Sequence, residues 1–168
     1  MTDSNVSWHE TASGAVFSNC RNYRYALWRT WNPGAGLVLF IGLNPSKANE
    51  RRNDPTIRRC IAYARDWGYG GLLVANIYAY CATKPHDLFR AADPVGPDND
   101  KWLCSLGDAA NKIICCWGNH GLKDHARLPL PEMEKPLYYL KLNRSGAPAH
   151  PLYLRKEAKP VLWADAAL

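Results

Sequence analysis

The sequence predicts one α/β domain: a three-layer α/β/α sandwich on a central, mostly parallel four-stranded sheet, with a β-hairpin at the N-terminal end. Three observations carry this. The runs "LVLFIGL" (37–43) and "LLVANIYAY" (72–80) are too continuously apolar for strands with one wet face, and suit strands covered on both faces. A helical pattern lies between them, giving strand–helix–strand, the unit of a parallel sheet. The chain has 168 residues, enough for one core, and no linker, repeat or low-complexity tract divides it. The core is expected over about 14–155, with short tails.

The hairpin comes from "GAVFSNCRNYRYALWRTW" (14–31), two strands around the turn-prone Ser18–Asn22. Alternation in its second strand puts Tyr23, Tyr25, Leu27 and Arg29 on one face and Arg24, Ala26 and Trp28 on the other. "NPGAG" is a loop. Asp54-Pro55 has the form of a helix start, Asp as N-cap and Pro in the first turn. Ile57, Ile61 and Ala64 supply the inward stripe, aided by Cys60 and Trp67, and "WGYGG" ends the helix. A long connection over 81–97 carries a short helix near Pro85–Ala91. A helix from about Asp98 to Asn111 turns Trp102, Leu103, Leu106 and Ala110 inward. "KIICCWG" and "PLYYLKL" are the third and fourth strands, and "NRSGAPAHPLYLRK" closes the core as a loop with a short helix.

No apolar run approaches the ~20 residues of a membrane span, and "MTDSNVSWHE" lacks the pattern of a signal peptide. A cytoplasmic protein without a membrane partner is expected. The formal net charge of +6 tilts the partner expectation toward nucleic acid, nucleotides or another polyanion. Six cysteines (20, 60, 81, 104, 115, 116) contain no C-x-x-C pair, so reduced core thiols are expected and no metal or cofactor is called for. Asp98 and Asp100 mark a helix start, and no pair of acids has the spacing of a two-carboxylate or metal centre.

In open parallel sheets ligands sit beyond the carboxyl ends of the strands. That rule selects Gly42-Leu43-Asn44-Pro45-Ser46, then Asn76 with Tyr78, then Trp117-Gly118-Asn119-His120, and finally Asn143, Arg144 and His150. Asn44 before a proline also suits a plain turn. Asn76 within an apolar strand needs partners for its amide. Basic residues Lys47, Arg51, Arg52, Arg58 and Arg59 crowd the segment after the first strand, either as a solvated face or as a phosphate grip.

From Cys20 to Leu154 the succession "CRNYRYALWRTW", "FIGLNPSKA", "NDPTIRRC", "WGYGG", "NIYAY", "DPVGPDND", "WGNHG" and "HPLYL" resembles a bacterial and phage domain family of unknown function. The order of its strand-end motifs is also similar to the uracil-DNA glycosylase superfamily. That likeness implies a DNA glycosylase-like hydrolase acting on a flipped modified or damaged base. It implies that Asn44 orients water, that Asn76 reads the base edge, and that His150, with His120, stabilises the departing base. Gly42, Leu43, Pro45, Ser46, Tyr78, Trp117, Gly118 and Asn119 would line the pocket. Lys47, Arg51, Arg52, Arg58, Arg59 and Arg144 would hold phosphates. The chain departs from that pattern in carrying Leu152 where the family's His-Pro loop has serine. Two alternatives stand beside it: an enzyme on a free nucleotide or nucleoside, and a non-catalytic module that binds nucleic acid or a modified base.

Overall fold

The computed structural model describes residues 11–122 and 128–163. Its strands are β1 (Ser13–Phe17), β2 (Arg24–Thr30), β3 (Leu37–Gly42), β4 (Gly71–Asn76), β5 (Lys112–Cys115), β6 (Leu137–Tyr139) and β7 (Val161–Leu162). Among the described residues three α-helices are interspersed: α1 (Pro55–Asp66), α2 (Pro85–Phe89) and α3 (Asn99–Ala109). The strands form one seven-stranded sheet in the order β1-β2-β4-β3-β5-β6-β7. The four middle strands, β4, β3, β5 and β6, run parallel. This sheet is larger and more mixed than the expected four-stranded one. The hairpin is part of it, because β2 pairs antiparallel with β4, and β7 closes the far side antiparallel to β6. Left uncovered, the edge of β4 would present a row of unpaired backbone groups. The hairpin occupies that edge, and every residue from Arg24 to Arg29 is buried.

Each central strand feeds two cores. Val38 and Phe40 of β3 pack with Ile57, Cys60, Tyr63 and Ala64 of α1. Leu39 and Ile41 pack with Leu103 and Leu106 of α3 on the opposite face. This is why the apolar runs are unbroken, each burial of a large aliphatic side chain contributing about 1.5–3 kcal/mol. Helix α1 is capped at both ends. The Asp54 carboxylate accepts from the Ile57 N–H at 2.9 Å, a cap worth roughly 1 kcal/mol. At the other end Gly68 takes a φ of 83°. The Tyr69 N–H reaches the Ala64 carbonyl and the Gly68 N–H that of Arg65, the paired bonds of a Schellman ending.

One register irregularity reorients a buried arginine. Val16 faces Ala26 while Phe17 faces Arg24, so Tyr25 is an extra residue on β2. Such a bulge inverts the facing of the chain beyond it. Ala26 and Trp28 face the α3 core as alternation predicts, but Arg24 does not join them. It turns to the α1 side, where it meets the loop before that helix.

Strand order reverses around β3, whose two neighbours are reached by α1 over one face and α3 over the other. A crevice therefore opens beyond its carboxyl end.

Candidate functional site

A cleft of about 540 Å³ occupies that crevice, within the range of small-molecule and cofactor sites. Its floor is the α1-side core, lined by the buried Phe40, Ile57, Cys60, Val74 and Cys116. Its rim collects polar groups from segments far apart in the chain.

The first rim segment is the exit of β3. Gly42 is glycine for a steric reason: a Cβ there would lie 2.8 Å from the Asn76 Nδ2. Beyond it the chain is zipped to the segment after β4, Ile77 N–H to Gly42 carbonyl at 3.0 Å and Tyr78 N–H to Leu43 carbonyl at 2.9 Å. Asn44 tightens the zip, its Nδ2 donating to the carbonyls of Pro45 at 3.0 Å and Ala82 at 2.7 Å. Both its donors are thus committed, and Oδ1 is what it can offer a ligand.

Asn76 ends β4 and is only 5% exposed. Its Oδ1 accepts from the Arg24 Nη2 at 3.4 Å, which turns Nδ2 toward Gly42 and the cleft. Among the described residues that Nδ2 has no acceptor. Arg24 is 3% exposed, donates from Nη1 to the Ala48 carbonyl at 2.9 Å, and leaves its buried Nε unpartnered. No carboxylate among the described residues is paired with it. Burial therefore pushes its guanidinium down to about 10. A cation held this way, behind a lone amide donor, makes that wall of the cleft electron-poor.

Opposite stands the loop after β6. His150 caps the short 3-10 turn Pro151–Tyr153, its Nδ1 accepting from the Leu152 N–H at 3.3 Å. That bond selects the tautomer with the proton on Nε2, so the neutral ring is a donor. Burial pulls its pKa below the ordinary value, opposed in part by the Asp54 carboxylate. Gly118, at φ 75°, brings the β5 exit against this loop, and its N–H donates to the Pro148 carbonyl at 2.8 Å. Asn119 Oδ1 adds a second tie, accepting from Asn143 Nδ2 at 2.7 Å and Ser145 Oγ at 2.8 Å.

Asp54 is the one carboxylate among the described residues that line the cleft. It uses Oδ1 on the cap of α1, leaving Oδ2 as a further acceptor. The two floor thiols are poor nucleophiles, because burial raises Cys60 well above its usual value and Cys116 to about 12. All six cysteines are free thiols.

The structure thus brings Gly42, Leu43, Asn44, Ser46, Asn76, Trp117, Gly118, Asn119, His120 and His150 to one cleft. Pro45 is buried behind it. Tyr78 lies outside, packed edge-on against Phe89 at 5.8 Å, because its ring packs on the α3-side core and the cleft opens on the α1 side. Lys47, Arg51, Arg52, Arg58, Arg59 and Arg144 do not line the cleft. Arg58 instead donates to the Asn53 carbonyl at 2.9 Å, and Arg59 lies over the Tyr63 ring at 5.9 Å. Arg24, Asp54 and Tyr153 are lining residues that alternation and motif order did not single out. The bulge hid Arg24, and capping was a sufficient explanation of Asp54. Among the described residues no group of three or more His, Cys, Asp or Glu side chains is placed to hold a metal, and no helix is long and apolar enough to cross a membrane.

A family model described as "Protein of unknown function (DUF1643)" matches residues 24–152, a span that begins at Arg24 and ends just past His150. No curated protein and no solved structure matches the chain.

Proposed function

We propose that this chain, which belongs to the DUF1643 family of unknown function, binds a nucleobase of a nucleic acid in the cleft and hydrolyses its N-glycosidic bond. The observation that carries the reading is the meeting of Asn44, Asn76 and His150 around one apolar-floored cleft of about 540 Å³. The rim pairs two donors, Asn76 Nδ2 and His150 Nε2–H, with two acceptors, Asn44 Oδ1 and the Asp54 carboxylate. Water held by the acceptors attacks the sugar C1′ while the C1′–N bond breaks. The bonding pair leaves on the base, where both donors and the Arg24 charge behind Asn76 stabilise it. The proton from water passes to Asp54, since a carboxylate can accept it and the Asn44 amide cannot.

The test is incubation with single- and double-stranded DNA carrying uracil or other modified bases, scored for abasic product. Abasic product from the native protein and its loss in Asn76→Ala are expected. No product from any substrate, with the variant folded, sinks the hydrolytic reading.

One observation favours a binding module without turnover. Both donors of Asn44 serve the fold, one within its own loop and one tying that loop to the segment after β4, so its place in the motif is explained without chemistry. Tight base binding with no abasic product would identify that module. Binding of free nucleosides with no affinity for DNA would identify an enzyme of free nucleotides.

A further inference from the structure

Beside the cleft lies a second groove of about 420 Å³. The two share Tyr153, which is 87% exposed and whose ring stands 5.6 Å from that of His150. Lys141 and Arg155 line the groove, with Glu157 as its one acid among the described residues. Leu140, Leu154 and Ala158 form its apolar base and belong to the α1-side core.

The groove is firmly built. Tyr63 on α1 donates its hydroxyl to the Arg155 carbonyl at 2.7 Å, and Trp67 donates its indole N–H to the Ala158 carbonyl at 3.1 Å. These two bonds pin the 155–158 turn to the helix. Lys156, beside it, faces Glu157 at 3.9 Å, so part of the acidic charge is already offset and Lys141 and Arg155 remain for an anion.

We propose that this groove holds the nucleotide next to the one in the cleft, as a single nucleic-acid strand. Its base stacks on Tyr153 and its phosphate lies between Lys141 and Arg155. The inference rests on the base-binding reading of the cleft, because a base lodged there has left its stack and its neighbour must lie at the mouth. An exposed aromatic beside paired cations on a rigid floor is the makeup of a single-strand track. The phosphate contacts then come from residues after β6, and the arginines before and within α1 are solvated surface.

The experiment is titration of a fluorescently labelled single-stranded oligodeoxynucleotide over a series of salt concentrations. Substitutions at exposed positions keep the fold, and circular dichroism verifies this. Tyr153→Ala should weaken binding about 5- to 150-fold, the loss of one stacked base. The pair Lys141→Ala/Arg155→Ala should flatten the log K against log salt slope by about 0.7, the one phosphate neutralised on a single strand. Arg51→Ala/Arg52→Ala should leave the slope unchanged. An unchanged slope in the Lys141/Arg155 pair, no binding by the native protein at low salt, or tighter binding of duplex than single strand overturns the proposal. Failure of the hydrolytic reading looks different: the groove variants lose affinity as expected while the native protein forms no abasic product.

Discussion

Two buried arginines, five positions apart on β2, hold the same loop and do opposite things. Arg29 is spent. Its guanidinium donates to the carbonyls of Gly14, Trp28, Asn49 and Arg52 and to Asn53 Oδ1, at 2.6–3.4 Å. Among the described residues the Arg24 side chain reaches only Ala48 and, at 3.4 Å, Asn76, with Nε unpartnered. The first closes a structural joint between the hairpin and the approach to α1. The second carries a desolvated charge into the wall of a cleft. Buried polar groups without full satisfaction cost stability, so the contrast separates a residue whose bonds close the fold from one that keeps a buried donor to spare, which the proposed function assigns to a ligand.

Removing Arg29 should have the largest effect on stability. Arg29→Met strands several buried acceptors at about 1–3 kcal/mol each, and a loss of roughly 3 kcal/mol or more in urea unfolding is expected. Asp54→Asn comes next and separates two roles. Asparagine caps a helix about as well as aspartate, so stability should hold. Turnover of a cleaved base should fall about 100-fold or more, the scale of a lost general base. Full turnover in that variant would remove Asp54 from the chemistry. Arg24→Met should lower the affinity for a base about 10-fold, roughly 1.4 kcal/mol, yet move stability by no more than about 1 kcal/mol, because relief of a buried charge offsets two lost bonds. Should it destabilise as much as Arg29→Met, the contrast between the two arginines collapses.

The smallest expected effect is in the His150 titration. Its folded pKa lies below 6.5 through burial, and Asp54 opposes the shift. A depressed folded value means the unfolded chain binds the proton more tightly. The contribution of His150 to stability is therefore complete above the ordinary pKa and is lost as pH falls through the folded value. NMR titration should give a midpoint below 6.5, displaced further down in Asp54→Asn. A midpoint above 6.5 would mean the ring is not desolvated against the cleft.

The candidate cleft was largely legible before folding. Strand-length apolar runs identified β3 and β4, and the strand-end rule then picked out Asn44, Asn76, His120 and His150, all of which line it. The rest was hidden for specific reasons. The Tyr25 bulge is a matter of pairing between β1 and β2, so no alternation rule applied to β2 alone could turn Arg24 the right way. Joining the hairpin to β4 depends on which edge lay open. Tyr78 follows Asn76 by two positions, the spacing of one strand face, but the strand ends at Asn76.

By itself the sequence determined the parallel core, the capped helix α1 and the order of polar residues at the strand ends, because periodicity, caps and turn residues act within a few positions of one another. Tertiary structure alone decided which donors are already used. The Asn44 amide is committed to Ala82, Asn76 is oriented by Arg24, and His150 is set as a donor by Leu152 in a loop drawn to the β5 exit. Hydrogen-bond satisfaction depends on what folding brings near, and the groups left over after it are those a ligand can meet.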